Sequence, residues 1–280
     1  MEDASREYGQ QNFSLPHDVI LLPSGGVFYK SKKKSVKVGY LTASDENLLM
    51  SNQDDIITAL VRNKLYEPDL KPNELLQGDL EAILIFLRNT AFSSDYKITA
   101  IDPKTGEQFS TEISLEELNI KKTEVQPNSE GHFEVSLPKC GATVRLKLLS
   151  LGDIKEVDEM AKKYPAGMIA PKVTWTLQKQ IVSVNGDSDR GVVNKFIEQM
   201  PIADSKFIKN FLFDNEPRLD LVKSIIAPSG MKVDVAISFG AEFFRVFFWV
   251  FKTNIRRVLC VGQNITHELY WFFKNTCICS

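Results

Sequence analysis

Four side chains near the C-terminus, Cys260, His267, Cys277 and Cys279, are of the types that bind zinc. Structural zinc sites favour paired short spacings such as Cys-x2-Cys, and the only short pair here, Cys277-Ile278-Cys279, has a single residue between its thiols. The set reads as ordinary reduced thiols, with a metal-dependent enzyme built on it as the alternative. Asn185, Asp187 and Asp189 match the first three ligand positions of a calcium loop. Arg190 then stands where that loop needs glycine, and Phe196 where it needs its last glutamate, so a polar surface loop is expected. The three histidines are His17, His132 and His267, none of them in the repeated framework described below. A hydrolase more naturally keeps its base on the folded scaffold, so no catalysis is expected. No Walker-type loop or G-x-G-x-x-G opens a helix, which removes the common nucleotide folds. No catalytic, cofactor-binding or metal-binding residue is assigned, and no cofactor is expected.

Aromatic side chains offer a different kind of chemistry. Phe243, Phe244, Phe247, Phe248, Trp249 and Phe251 crowd six rings into residues 242–251. Such a surface is buried in the protein's own core or against a partner. Insertion into a membrane surface is the minor reading, because the flanks lack an amphipathic basic pattern. At helical spacing Phe244, Phe247, Phe248 and Phe251 form one stripe, and Phe243 and Trp249 point elsewhere. These six residues are the candidate partner-binding set. An isolated chain is expected to expose part of it, and ending the chain at Gly240 is expected to improve solubility and abolish docking.

The elements that position these residues are expected to come twice in one order. Residues 36–45, VKVGYLTASD, align without a gap on residues 144–153, VRLKLLSLGD. Leu22-Pro23-Ser24-Gly25-Gly26 answers Leu137-Pro138-Lys139-Cys140-Gly141, and Asp79, Ile83, Phe86 and Leu87 answer Asp204, Ile208, Phe211 and Leu212. Ile101 to Gly106 with 113–115 answers Ile226 to Gly230 with 237–239. Ordered correspondences of this kind mark a duplication. Each copy reads as β-hairpin, helices, β-hairpin, an α+β plan. The first has strands at 19–22, 27–29 and 36–40, a helix through Ile56, Leu60 and Leu65, and a second helix with Asp79 as its N-cap and Leu80, Ile83, Leu84 and Leu87 buried. The second has helices at 173–184 and 191–200. The expected division is a mobile arm at 1–18, a module at 19–120, a polar linker at 121–132, a module at 133–241 and an aromatic tail at 242–280.

Composition agrees. A chain of 280 residues allows about two domains of ~100–150 residues. With 43% apolar residues each half can bury a core, and a net charge of −2 gives no pull toward nucleic acid. Lys32-Lys33-Lys34 is expected at a solvated hairpin tip. Four cysteines, three of them at 260–279, do not make a disulfide framework. With no apolar leader and no long apolar run, a soluble chain in a reducing cytosol is expected, with no membrane contact.

Residues 22–29 (LPSGGVFY), 36–46 (VKVGYLTASDE) and 75–88 (LLQGDLEAILIFLR) together resemble the baseplate proteins of T-even-type contractile-tailed phages, over roughly residues 20–245. The Gly78-Asp79 to Leu87-Arg88 segment is the most specific part. Many relatives carry a Cys-x-x-Cys-Gly knuckle at the hairpin turn, and here both turns are plain: Asp102 to Gly106 and Pro228-Ser229-Gly230. The resemblance implies a non-enzymatic virion protein of baseplate hub and tail assembly, either a structural subunit or an assembly chaperone. It would work in the host cytoplasm and in the tail baseplate, with hub or tape-measure proteins, or further copies of itself, as partners.

Overall fold

The alternating run ahead of Pro23 forms β1 (His17–Leu21), which pairs antiparallel with β2 (Ser35–Gly39) in the register Val19↔Lys37. The computed structural model describes residues 15–50, 55–121, 123–239 and 241–244. His17 and Asp18, expected within the arm, belong to this strand; the rest of the arm up to residue 14 lies outside the described residues. Residues 27–29 are not a strand. Backbone bonds Gly25 N–H to Leu22 O, Val27 to Ser24, Tyr29 to Gly26 and Lys32 to Tyr29 wind this stretch into consecutive turns. Gly26 makes that path passable: its φ is +75°, and a Cβ there would lie 2.1 Å from the Lys33 carbonyl oxygen.

Helix α1 (Ala43–Leu49) starts at Thr42, whose backbone N–H donates to Asp45 Oδ2 at 2.7 Å. The Asp45 carboxylate also pairs with Lys64 at the end of α2 (Ile56–Lys64), both almost fully buried. Burial alone would raise the Asp45 carboxyl; Lys64 and Thr42 outweigh it and hold the group below the ordinary carboxylate range. A 3-10 turn (Pro72–Glu74) leads into α3 (Gln77–Ala91), followed by the hairpin β3 (Asp95–Ile101) and β4 (Gln108–Ser114). Asp79 is the third residue of α3, not its cap: Leu76 is the N-cap, its hydrocarbon side chain caps nothing, and the Asp79 carboxylate is committed elsewhere.

The second half opens with β5 (His132–Ser136) against β6 (Thr143–Lys147). Ser150 caps α4 (Leu151–Lys162) through a reciprocal box with Asp153, as Thr42 meets Asp45 in α1. Helix α5 (Lys172–Gln180) is shorter than the spacing suggests. Residues 181–184, Ile-Val-Ser-Val, leave it as β7 (Ile181–Val184), a third strand against β6 with a register shift at Arg145/Leu146. Their β-branched side chains suit a strand. Then come α6 (Arg190–Gln199), α7 (Ile202–Asn215), the hairpin β8 (Val222–Ile226) and β9 (Lys232–Ala236), and the short α8 (Ala241–Phe244). Several small antiparallel sheets among helices make this an α+β fold.

One hydrophobic cluster takes side chains from both halves, including Ile83 and Leu87 of α3, Phe133 and Leu146 of β5 and β6, and Ile208 of α7. Backbone bonds also cross between the halves. Leu151 N–H donates to Leu75 O (2.9 Å), Lys121 N–H to Arg218 O (2.7 Å) and Asp220 N–H to Asn119 O (2.7 Å). At the two hairpin tips, Ser229 N–H and Oγ–H donate to the Asp102 carboxylate at 2.9 and 2.7 Å. The stretch expected as a linker is fastened as well: Val125 N–H donates to Asn215 Oδ1 at 2.8 Å, and Ser129 O accepts from Lys32 Nζ at 2.7 Å.

Candidate interaction surface

Asp79 is fully buried, and its carboxylate ties three parts of the first half together. Oδ1 accepts from the Ser24 N–H at 2.9 Å, and Oδ2 accepts from the Tyr29 hydroxyl. That hydroxyl oxygen in turn accepts from the Leu76 N–H at 3.0 Å. The turn after Pro23 is thereby clamped to the N-terminus of α3, where a negative charge is favoured by the helix dipole. Burial nevertheless pushes the Asp79 carboxyl up, its bonds from Ser24 and Tyr29 only partly offsetting this. Burial and the adjacent carboxylate likewise push the Tyr29 phenol well above its usual range.

Asp204 makes the same clamp in the second half. It is the third residue of α7, fully buried, and accepts from the Lys139 and Cys140 N–H groups at 2.8 and 2.9 Å. Here burial's upward push is outweighed by the bonds from Lys139 and Cys140, and the carboxyl lies below the ordinary range. Sequence alignment pairs Asp79 with Asp204 and the two Pro-led turns with each other. No local signal in the sequence links acid and turn, because Ser24 and Asp79 stand 55 residues apart.

Beside this clamp the halves also approach closely at Gly78. A Cβ there would lie 2.2 Å from the Pro217 carbonyl oxygen and 2.6 Å from Arg218 Cβ, so glycine lets α3 meet the segment after α7. Glu81, one turn on, is 5% exposed; its Oε1 accepts from Gln77 Nε2 at 3.2 Å, and its Oε2 has no partner among the described residues. Burial lifts its carboxyl to about 7, with Glu216 adding to the rise and Gln77 and Arg218 opposing it. Glu216 is raised too, first by burial, with Asp79 contributing and Arg218 and Lys121 opposing. A groove of about 490 Å³ opens along this seam, lined by Ser24, Phe28, Ile120, Gln126, Asn215 and Pro217 among others.

Of the candidate partner-binding set, Phe243 and Phe244 lie in the core, 1% and 2% exposed. Phe243 packs edge-on against Phe239 (4.8 Å between centroids) and near Tyr96 (5.4 Å). The Arg88 guanidinium stands 5.0 Å from the Tyr96 ring and 5.7 Å from that of Phe243, a cation–π arrangement. Phe247, Phe248, Trp249 and Phe251 lie outside the described residues, as do Cys260, His267, Cys277 and Cys279. The acidic loop is spent on local bonds: Asn185 Oδ1 accepts from Thr143 N–H, Asp187 Oδ1 from Asp189 N–H, and Asp189 Oδ1 caps α6 at Val192 N–H. Among the described residues no three His, Cys, Asp or Glu side chains gather as metal ligands. None of the helices described is long and apolar enough to cross a membrane.

Comparison with curated proteins finds no match, and comparison with solved structures finds none either. One family model, described as T4 bacteriophage base plate protein, matches residues 26–245. That span runs from the clamped turn through α3, the seam and the second clamp to the aromatic helix α8, and the chain belongs to the T4 bacteriophage base plate protein family.

Proposed function

We propose that this protein acts without catalysis of its own in building the baseplate hub and tail, as a structural subunit or as a chaperone of assembly. In this reading it works in the host cytoplasm and at the virion tail. Its scaffold is one module used twice, residues 19–120 and 133–241, joined by 121–132. The observation that carries the reading is the repeated clamp: Asp79 and Asp204, each buried at the third position of a long helix, each holding the backbone of a Pro-led turn. The order of elements supports duplication, since each half runs through a strand pair, helices, a long helix and a hairpin, with β7 and α6 additional in the second. Reactive side chains do not repeat with the scaffold, as expected where the repeated feature is a surface and not a site. Partner docking falls to the aromatic residues Phe247, Phe248, Trp249 and Phe251, acting as hot-spot anchors on hub or tape-measure proteins.

The test is co-expression of the full chain, and of a chain ending after Val246, with hub and tape-measure proteins, beside mass spectrometry of purified particles. The full chain should co-purify with one of them and the shortened chain should not. Equal capture by both would move the contact onto the modules. Stoichiometric zinc in the purified full chain would favour the metal-dependent enzyme instead.

A further inference from the structure

At the seam between the halves, a buried oxygen without a partner lies within reach of a cation that is held elsewhere. The oxygen is Glu81 Oε2, which no described residue bonds. Glu81 leans toward the start of α3, as helical side chains do, and its Oε1 accepts from Gln77 Nε2 at 3.2 Å. That places the carboxylate over the turn containing Gly78. Arg218 Cβ lies 2.6 Å from where a Gly78 Cβ would stand. Residues three apart on a helix are neighbours, so an arginine rooted at that point has Glu81 within the length of its side chain. The Arg218 guanidinium instead sits 4.1 Å from the centre of the Phe213 ring, a side chain 39% exposed, and makes no ion pair among the described residues.

The charged groups around Glu81 are Glu216 and Arg218 on the segment after α7, and Asp79 on α3 itself, which is already bound to Ser24 and Tyr29. A second cation, Lys121, acts on Glu216, but it donates to Phe213 O at 3.4 Å and stands 3.9 Å from Asp214 Oδ1. Arg218 is the less encumbered of the two. A protonated Glu81 calls for no cation. Burial lifts its carboxyl to about 7, so a small rise above neutral pH ionises it. A buried carboxylate without a partner is costly and an exposed cation–π contact is weak, so the charged form draws the guanidinium off the ring. We propose that Arg218 is a two-position switch, lying on Phe213 while Glu81 is protonated and turning inward to pair with Glu81 once it ionises. The inward position joins the halves by an ion pair. It leaves Phe213 with Lys121 as its remaining cation, 5.1 Å from the ring centre, beside the groove that Lys121, Asn215 and Pro217 help to line.

Nuclear magnetic resonance of the full chain tests this. A methylene seated on an aromatic face is shifted upfield by the ring. The Arg218 Cδ protons should therefore lie upfield at about pH 5 and return toward their ordinary position by about pH 9, with the same midpoint as the Glu81 carboxyl carbon. Glu81→Gln should hold the upfield position across that range. Phe213→Leu, at a partly exposed site, removes the competing contact and should lower the Glu81 midpoint by about half a pH unit, whereas Arg218→Gln should raise it by about as much. If Glu81→Gln does not fold, the shared midpoint in the parent and the two midpoint shifts decide the matter. The proposal falls if the Arg218 signals ignore pH, if they move as far in Glu81→Gln as in the parent, or if Phe213→Leu and Arg218→Gln leave the Glu81 midpoint where it was. It also falls if Glu216→Gln stops the movement and Glu81→Gln does not, since the carboxylate that calls Arg218 is then Glu216.

Discussion

Two aspartates with one structural task end up on opposite sides of the ordinary carboxylate range, and the difference lies in what surrounds them. Asp204 takes two backbone N–H bonds from a turn, which outweigh its desolvation. Asp79 takes one backbone N–H and a phenol, and burial wins. Replacing Asp79 with Ala orphans the Ser24 N–H and the Tyr29 hydroxyl, and should cost about 1–3 kcal/mol per donor left unpaired, read from urea unfolding. Glu81 gives a pH dependence of definite sign. Its folded-state value is about 7 against an ordinary 4.5, so the folded protein holds this proton more tightly than the unfolded chain does. The stabilisation is whole below about pH 4 and is lost as pH rises through about 7, by an amount on the order of 3 kcal/mol. Glu81→Gln should remove that decline and be the more stable protein at pH 8; parallel pH curves for the two would assign the loss to another group. None of this was legible in the sequence, where Asp79 reads as a helix cap.

At the scale of elements, apolar spacing carried far. Leu80, Ile83, Leu84 and Leu87 are all buried on α3, as their period requires. Leu87→Ala, at a site with no exposure, should cost about 2–5 kcal/mol. A loss under about 0.5 kcal/mol would mean that the site is not core. Gly78→Ala poses a contest of effects. Ala is the better helix former by about 1 kcal/mol, but the new Cβ meets backbone and Cβ atoms of Pro217 and Arg218, which cannot swing aside. Overpacking at about 1–3 kcal/mol should win, giving a less stable protein in urea with the seam the first part to exchange its amides. Elements were misread where a local pattern served two structures. Ile181 to Val184 continue the apolar period of α5, yet β6 has an unfilled edge that takes them as β7. Val27 to Tyr29 look extended in sequence, but Asp79 draws the Tyr29 hydroxyl inward and the chain turns.

Across the whole molecule, the order of elements was readable because hydrophobic period and turn residues are local signals. The seam was not, because it is made by segments far apart in sequence: Asp102 with Ser229, Leu75 with Leu151, Gly78 with Pro217. The same limit applies to the aromatic run, whose density announces burial without saying which rings go where. Phe243 and Phe244 close the core over Tyr96 and Arg88, which changes what a truncation does. A chain ending at Gly240 loses two buried rings, each worth about 3–5 kcal/mol by analogy with Phe→Ala changes, and exposes the cluster that they covered. It should therefore melt lower and aggregate more than the full chain, the reverse of the gain in solubility that the sequence suggests. A chain ending after Val246 keeps both rings within the compact unit that spans residues 1–246, and should melt like the full chain. Calorimetry and light scattering on the three proteins decide it. Equal melting of the two shortened chains would mean that Phe243 and Phe244 add nothing to the core, and failure of the longer one alone would place essential packing beyond residue 246.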